Sequence, residues 1–376
     1  MNIVLMASIS DKSPFIKEFA DNLIILGNKI IIIDVLNKKI LDVNNSRNLV
    51  PFIVSIISKI PRLRTVSFFS YVRFFLFIHN NKIDIINIHY LYTLYALLFY
   101  LTSRYNNKLI VTFWGEDLYG YTNSQRNTQK LILSKAKFIT GATHQMRTDI
   151  QNIHGLSDRK IKLVRFGIGK FESIKNLMDM HTKLDAKNHF SLPVDKVIIC
   201  CAYNGAEKQR HNLITKSISR LPEHLKEKLF LLFPMGYGGT VDYINSVREE
   251  VNQAKLPYLI IDSYLPEDEV AMLRISSDIT INIQVTDALS ASLQEHILAN
   301  NILLVGDWLP YNIYNELGIF FLKTPLDKIT ESLIDILANF AQYQLKCNSN
   351  SELIYNFNSW KTTILDWEKL YAEIHN

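Results

Sequence analysis

The stretch TDALSASLQEHILANNILLVG, residues Thr286 to Gly306, predicts a loop, a helix and a buried strand in succession. Asp287 and Glu295 are eight positions apart, so one acid lies in the loop and the other about two turns further on. Three small residues stand between them: Ser290, Ala291 and Ser292. They would let a diphosphate approach the first amides of the helix, where the dipole favours negative charge, while Glu295 accepts hydrogen bonds from a ribose. The alternative is an ordinary capped helix.

Length and composition limit the class of protein. The chain has 376 residues, 48% hydrophobic and 20% charged, which is typical of a folded protein with two domains. A formal charge of +5 is too small for the dense basic face of a nucleic-acid binder, so no nucleic-acid partner is expected. Three cysteines, two of them adjacent in an apolar run, favour a reducing cytoplasm. The first ten residues predict a strand and not a signal peptide, and no apolar run reaches the roughly 20 residues that span a bilayer.

Strands and helices alternate along the first half of the chain. Six segments predict strands: Asn2–Met6, Lys29–Val35, Asp84–His89, Lys108–Phe113, Phe138–Ala142 and Ile161–Phe166. A helix is predicted over Pro14–Leu26, but the loop Ala7–Lys12 has no glycine, so a GxGxxG dinucleotide site is not expected. Ligands of parallel sheets lie at the carboxyl ends of strands. The candidate residues at those ends are His89, Trp114, Glu116 and Asp117.

Residues 51–80 contain no acid, although apolar side chains there alternate with cations. The cations are Lys59, Arg62, Arg64 and Arg73. An interfacial membrane segment needs this combination, because apolar groups enter the headgroup boundary while Lys and Arg meet anionic lipid. A core helix pair with a solvated basic edge is the alternative.

The second half of the chain restarts the pattern after a polar stretch near residues 170–195. Four further segments predict strands: Lys196–Tyr203, Leu229–Phe233, Leu259–Ile261 and Asp278–Ile283. The loop NGAEKQRHN begins at Asn204 and carries Lys208 and Arg210, which could clamp a diphosphate. Gly236 lies in the tight loop PMGYGG, and Asn204 and Gly236 are further candidates for donor binding. We therefore predict one domain over residues 1–180, a second over 181–355 and a final helix over 356–376.

In this order the segments resemble the two-domain GT-B glycosyltransferases, an α/β architecture of two Rossmann-like domains facing a cleft, and within them the retaining, glycogen-synthase-like group. That group carries a Glu-x7-Glu pair where this chain has Asp287 and Glu295. The resemblance implies that Glu295 binds the donor ribose and that Asp287 faces the donor sugar, while the amides of Ala291 and Ser292 hold the diphosphate. It also implies that the loop containing Tyr264 and Leu265 reads the base, and that Lys208 and Arg210 bind phosphate.

Two positions depart from the pattern of the group. TFWGEDLYG is similar to its strand-then-His-Gly-x-Asp segment but has Trp114 in place of the His, and Ala7 and Ser8 stand where the group has a glycine pair. Ser8, Trp114 and Glu116 are expected near the sugar and acceptor, with His89 and Asp117 as further catalytic candidates. In GT-B enzymes the last helix crosses back to the first domain, and Trp360, Ile364, Trp367 and Tyr371 form a stripe that suits this. Packing within the second domain is the alternative.

A narrower resemblance suggests the acceptor. FPMGYGGTVDYINSV is similar to a segment of the bacterial 4-acetamido-4,6-dideoxygalactose transferases of enterobacterial common antigen synthesis. Both families build surface glycans, such as O-antigen or capsule, on polyprenyl-diphosphate carriers. The implied location is the cytoplasm, at the inner face of the plasma membrane.

The resemblance implies sugar transfer from a nucleotide-diphosphate donor to a glycan, with retention. No other cofactor is expected, and no obligatory metal, because the chain has no Asp-x-Asp triplet. Two alternatives stay open: a sugar-nucleotide epimerase of the same architecture, and a non-catalytic module that binds a sugar nucleotide or a glycan.

Overall fold

A computed structural model describes residues 1–9, 15–100, 103–287 and 289–375, and in it the chain forms two compact units. The first unit comprises Met1–Gly167 and Trp360–Asn376, and the second comprises Ile168–Ser359. Pro14, where a helix was predicted to begin, and residues 10–12 of the glycine-free loop lie outside the described residues.

The first unit is built on a sheet of eight strands in the order β4-β3-β2-β1-β5-β6-β7-β8. The strands are β1 Asn2–Met6, β2 Lys29–Asp34, β3 Lys39–Asp42, β4 Arg47–Asn48, β5 Ile85–His89, β6 Leu109–Thr112, β7 Phe138–Gly141 and β8 Ile161–Leu163. The helices are α1 Phe15–Ile25, α2 Phe52–Ile57, α3 Arg64–His79, α4 Leu94–Tyr100, α5 Glu116–Tyr119, α6 Asn123–Leu133 and α7 His144–His154. The six predicted strands of the first half are confirmed, and all of them pair in parallel.

A short antiparallel extension at one edge of this sheet was not predicted. Strand β3 pairs antiparallel with both β2 and β4, so the chain turns back on itself twice after Asp34. Lys38 and Ser46 occupy left-handed backbone conformations in the two turns, with φ of 54° and 52°. Neither is glycine, so the sequence carries no glycine signal for these turns.

Helices α2 and α3 form most of residues 51–80. They combine the two properties expected for this segment, because one part packs in the core and another part exposes apolar side chains. Helix α3 packs four side chains into the core of the unit: Phe68, Val72, Phe75 and Leu76. Its other side exposes Phe74 and Phe77, which are 60% and 61% accessible, and α2 buries no side chain at all. No helix of the described residues is long and apolar enough to cross a membrane.

The second unit has a sheet of six parallel strands in the order β11-β10-β9-β12-β13-β14. The strands are β9 Val197–Cys201, β10 Leu229–Pro234, β11 Tyr258–Ile261, β12 Ile279–Asn282, β13 Ile302–Gly306 and β14 Leu322–Thr324. The helices are α8 Lys170–Met180, α9 Lys183–His189, α10 His211–Ser219, α11 Glu223–Lys226, α12 Val241–Gln253, α13 Glu267–Ser276, α14 Ala291–Leu298, α15 Asn312–Glu316, α16 Ile329–Ala338, α17 Phe340–Cys347 and α18 Asn350–Asn358. The two units are therefore separate Rossmann-like α/β domains.

The first boundary between the units lies before the residue 180 that the sequence suggested. Phe171 and Ile174 of α8 are buried in one cluster with Leu293 and Ile297 of α14, and Ser173 donates a hydrogen bond to Asp268. Helix α8 is thus part of the second unit, which begins at Ile168.

The last helix, α19 Trp360–His375, belongs to the first unit although more than 190 residues separate it from Gly167. Trp367 is fully buried, and its indole N–H donates to the carbonyl oxygen of Arg165 at 2.8 Å. Tyr371 is also fully buried and accepts a hydrogen bond from Asn87 of β5 at 2.8 Å. The apolar stripe of α19 therefore packs into the core of the first unit, against α1 and the sheet.

This packing predicts that the first unit needs α19 for its stability. Trp367→Ala should lower the free energy of unfolding by about 3–5 kcal/mol, because it removes a fully buried indole and leaves a cavity. Leu365→Ala on the same helix is the control, since Leu365 is 46% exposed and should change stability by less than about 0.5 kcal/mol. Urea denaturation followed by circular dichroism measures both, and equal midpoints for the two variants would contradict the packing.

Candidate functional site

The strand order of the second unit reverses between β9 and β12. From β9 the chain continues to β10 and β11 on one side of the sheet, and β12 then returns to pair with the other side of β9. The loops that follow β9 and β12 therefore leave the sheet in opposite directions, and open α/β sheets bind their ligands at such a switch point.

Among the described residues of these two loops, three other than glycine adopt left-handed backbone conformations. They are Ala202 and Arg210 after β9 and Leu289 after β12, with φ between 62° and 63°. Side chains with a Cβ rarely adopt this conformation, and residues held in it concentrate at functional sites. Both loops of the switch point therefore contain constrained backbone.

Glycines let the neighbouring strand-end loops pack backbone against backbone. A Cβ on Gly236 would lie 2.0 Å from the carbonyl oxygen of Ser263, so the loops after β10 and β11 are in direct contact. Gly239 is similarly close to the backbone of Gly205 in the loop after β9. Gly236, Asn204 and Tyr264, which the sequence suggested for donor binding, therefore lie on three adjacent loops, and Tyr264 is 72% exposed.

Gln284, which sequence reasoning missed, connects the loops on the two sides of the switch point. Its side-chain amide lies 3.0 to 3.2 Å from the hydroxyl of Tyr203 and accepts a hydrogen bond from Gln209 at 3.1 Å. Its backbone carbonyl accepts a hydrogen bond from the indole of Trp308 at 3.0 Å. A lone glutamine after a strand has no sequence signature, so only its fully buried position in the structure reveals this role.

Asp287 lies at the switch point beside two tyrosines. The hydroxyl of Tyr311 donates a hydrogen bond to the Asp287 carboxylate and accepts one from Asn282 at 2.9 Å. Burial and the nearby Asp287 charge raise the pKa of Tyr311, and the same two causes raise the pKa of Tyr203. Both phenols are therefore neutral, and Tyr311 fixes the position of the carboxylate.

The two cations of the β9 loop are held differently. Arg210 donates to the carbonyl oxygen of Ile283 at 3.4 Å, and its guanidinium lies 5.3 Å from the ring centroid of Trp308. Lys208 is exposed, and its backbone carbonyl accepts a hydrogen bond from Val285 at 3.0 Å. Both residues therefore lie beside the loop after β12, and Arg210 is half-buried against it.

The N-terminus of α14 completes this end of the sheet. Ser290 is its N-cap residue, but its side chain makes no capping hydrogen bond, and the helix continues with Ala291 and Ser292. All three are half-buried. The first N–H groups of an α-helix have no partner within the helix, so this end can accept an anion.

Glu295 lies one turn further along α14 and is buried. Its carboxylate pairs with Arg274 of α13 at 3.0 Å, and the two side chains are only 3% and 5% exposed. Arg274 also lies 3.0 Å from a ring nitrogen of His296. The expected contact of Glu295 with a ribose therefore stays a prediction, and the observed pair joins α13 to α14. The sequence spacing correctly predicted that Glu295 lies on the helix, but it did not show that its side chain contacts Arg274.

His89 ends β5 at the reversal point of the first sheet, where it is buried among aromatic rings. The ring centroids of Phe19, Phe166 and Trp367 lie 5.4 to 6.1 Å away. Neither ring nitrogen has a hydrogen-bond partner among the described residues, and burial lowers the pKa of His89 to about 3. His89 is therefore neutral at physiological pH, and a catalytic role for it stays a prediction.

Asp117 connects the loops after β5 and β6 and is fully buried. Its carboxylate accepts hydrogen bonds from the amides of Leu91 and Trp114 at 2.8 Å and of Gly115 at 3.1 Å. Burial raises its pKa to about 6 against the opposing effect of these amides. These contacts are those of a positioning residue, and a catalytic role for Asp117 stays a prediction.

The three residues expected near the sugar lie at the same edge of the first sheet. Ser8 is half-buried after β1, and Trp114 stacks on Phe166 with 4.6 Å between ring centroids. Glu116 begins α5 and is exposed. In the described part of the chain no group of three or more His, Cys, Asp or Glu residues is placed to hold a metal ion.

Comparisons with known proteins find similarity in structure only. No family model matches the sequence, and no curated protein matches it. A glycosyltransferase from Rickettsia africae is similar over 99% of this chain and 98% of its own, with 15% identity and a TM-score of 0.71. Sucrose-phosphate synthase from Thermosynechococcus elongatus covers the same shares, with 12% identity and a TM-score of 0.72.

Two further solved structures include a sugar nucleotide. Anabaena HepE in complex with UDP-glucose matches 99% of this chain and 100% of its own, with 9% identity and a TM-score of 0.65. UDP-GlcNAc 2-epimerase from Neisseria meningitidis, bound to UDP-GlcNAc, matches 98% of this chain and 99% of its own, with 12% identity and a TM-score of 0.61. The chain therefore has the GT-B fold, with two Rossmann-like domains.

Proposed function

We propose that this protein is a retaining glycosyltransferase that moves a sugar from a nucleotide-diphosphate sugar to a glycan acceptor. The observation that carries the proposal is the convergence of Arg210, Asp287 and the N-terminus of α14 at the switch point of the second sheet. A cation, a carboxylate and the first amides of a helix are what a diphosphate joined to a sugar requires. The GT-B fold, which other glycosyltransferases share, supports the same function.

The diphosphate would lie between the two cations and the helix. Arg210 is already oriented by Ile283 and Trp308, while the exposed Lys208 can extend toward a ligand. The amides of Ala291 and Ser292 would bind the opposite side. Donors fixed in place before the reaction stabilise charge as it develops on the leaving diphosphate, without reorganisation during the step. The loop containing Tyr264 and Leu265 would contact the base.

Asp287 would face the donor sugar, as the resemblance implies. Tyr311, which is itself hydrogen-bonded to Asn282, holds the carboxylate in place. A carboxylate accepts several hydrogen bonds at once, so a sugar hydroxyl can donate to Asp287 beside Tyr311. Aspartate is one methylene shorter than the glutamate of the resembled group, and the Tyr311 hydrogen bond keeps it in one position. No step in this arrangement requires a metal.

The acceptor would be a lipid-linked intermediate of a bacterial surface polysaccharide, such as O-antigen or capsule. Exposed aromatic side chains of α2 and α3, without an acid in residues 51–80, support contact with an anionic membrane. The protein would then act in the cytoplasm, at the inner face of the plasma membrane, where polyprenyl-diphosphate carriers expose their headgroups.

A sugar-nucleotide epimerase is the second candidate, because one solved enzyme with this fold is such an epimerase. Epimerases move protons with acids and histidines. His89 has a pKa of about 3 and an aromatic surrounding, which makes it a poor proton carrier at neutral pH. A non-catalytic sugar-nucleotide or glycan-binding module is the third, and it would bind the donor without consuming it.

Transfer is tested with radiolabelled UDP-, GDP- and dTDP-sugars and a bacterial lipid extract as acceptor. We expect label in the lipid fraction and release of nucleoside diphosphate only when the extract is present. Asp287→Asn should lower this transfer at least 100-fold, since it removes the charge while keeping the shape of the side chain. Asp327→Asn, at an exposed site beyond β14, is the control. Isomerised donor without acceptor indicates the epimerase, and bound but intact donor indicates the module.

The phosphate clamp is tested by calorimetry with a nucleoside diphosphate. Replacing both Lys208 and Arg210 by Ala should weaken binding at least about 100-fold, because each of the two cations loses a hydrogen bond to a charged group, which contributes about 1.5–3 kcal/mol. Binding of the corresponding nucleoside, which has no phosphate, should be unchanged. Arg220 and Lys328 replaced by Ala give a matched control, because both are exposed. If the double variant lost equal affinity for the nucleoside and for the nucleoside diphosphate, the proposed phosphate clamp would be contradicted.

The role of Glu295 is tested by separating stability from donor binding. Glu295→Ala should destabilise the protein by about 3–5 kcal/mol, because it leaves Arg274 buried without its partner. The double variant Glu295→Leu with Arg274→Met should recover most of that stability, measured by urea denaturation. If Glu295 also binds the ribose, the double variant will remain stable but bind nucleoside more weakly. Full binding by the stable double variant restricts Glu295 to the ion pair.

A further inference from the structure

A cavity of about 460 Å³ opens at the antiparallel edge of the first sheet. Its wall comes from the turn between β2 and β3, from β3 and β4, and from the segment that joins α2 to α3. Four cations line it: Lys38, Lys39, Lys59 and Arg64. No Asp or Glu is among the described residues of the wall, which gives this wall a strongly positive charge.

No carboxylate of the described residues forms an ion pair with the cations of this basic cavity, and the nearby Asp34 and Asp42 accept hydrogen bonds from asparagines. Lys38 donates to the carbonyl oxygen of Ser58 at 3.3 Å, which fixes one ammonium group at the wall. The other three cations have exposed side chains. Four cations confined around one cavity repel each other, so an anion bound there would be stabilised.

The two helices that contribute to the cavity wall, α2 and α3, also carry exposed apolar side chains. Phe52 and Ile53 of α2 are 79% and 68% exposed, while Val66 and Phe77 of α3 are 66% and 61% exposed. Ser55 of α2 belongs to the cavity wall itself, so the apolar face and the basic cavity share one helix. A site for a free anion has no need of this apolar neighbour, whereas a membrane surface supplies partners for both features.

We propose that the basic cavity binds the phosphorylated headgroup of an anionic lipid while the outer faces of α2 and α3 enter the bilayer interface. The volume lies in the range of small-molecule sites and exceeds what a single phosphate fills. Asn37, Asn48 and Ser55 in the wall can meet the hydroxyl groups of a glycerol or sugar attached to that phosphate. The inference rests on the membrane contact proposed above and adds a defined headgroup site to it.

The test is vesicle binding by the full chain. Vesicles of phosphatidylcholine with about one third phosphatidylglycerol should bind the protein at least tenfold more tightly than pure phosphatidylcholine vesicles. Lys39→Glu with Lys59→Glu should reduce binding to the anionic vesicles at least tenfold. Lys130→Glu with Lys137→Glu is the control, because it changes the net charge equally at exposed positions toward the opposite edge of the sheet, near β7. It should reduce binding less than threefold.

Two further arms distinguish a lipid headgroup from a soluble anion. Phe74→Ser with Phe77→Ser should weaken binding to the anionic vesicles although the cavity is intact. Inorganic pyrophosphate at millimolar concentration should compete with anionic vesicles for the wild-type protein but not for the Lys39→Glu, Lys59→Glu variant. Circular dichroism melts check that each variant is folded.

Three results would overturn the inference. Equal losses in the cavity and control variants would mean that net charge alone attracts the protein. Pyrophosphate binding that the Lys39→Glu, Lys59→Glu variant loses, without any vesicle binding by the wild-type protein, would assign the cavity to a soluble anion. Absence of vesicle binding by the wild-type protein would remove the membrane contact as well, while the transfer assay with dispersed lipid extract would still decide whether the protein is a glycosyltransferase.

Discussion

The parallel pairing of β9 with both β10 and β12 is the constraint on which the candidate site depends. Ile199 of β9 is in register with Leu231 on one side and with Ile279 on the other, and all three are fully buried. The chain leaves β9 toward β10 on one side of the sheet and leaves β12 toward β13 on the other side. The loops after β9 and β12 therefore diverge and leave a space between them. This pairing brings Arg210 and Asp287 to the same end of the sheet, although they are 77 positions apart in the sequence.

Uncharged side chains hold the loops of the candidate site in place through hydrogen bonds, and only a few charged side chains lie among them. Gln284 joins Tyr203, Gln209 and Trp308, while Tyr311 holds Asp287. Neutral groups of this kind are well suited to orienting charged ones, because burying them costs less free energy than burying further ions. The charges that remain are those that a nucleotide-diphosphate sugar would contact. In the first unit, asparagines likewise donate hydrogen bonds to Asp34 and Asp42 near the basic cavity.

The alternation of strands and helices was readable from the sequence, because buried parallel strands are continuous apolar runs with loops between them. The positions of Asp287, Lys208 and Arg210 at strand ends followed from that alternation. The orientation of Glu295 could not be predicted, because the sequence does not show that Glu295 on α14 faces Arg274 on the neighbouring helix α13. Gln284 and Tyr311 carry no motif, and the turns on either side of β3 use Lys38 and Ser46 where glycine would have been the signal.

A crystal structure with a bound nucleoside diphosphate tests most directly whether the diphosphate binds between Arg210 and the N-terminus of α14. We predict phosphate oxygens within hydrogen-bonding distance of the Arg210 guanidinium and of the amides of Ala291 and Ser292, with the base beside Tyr264. A nucleotide bound at the first sheet, or with its diphosphate away from α14, would contradict this site.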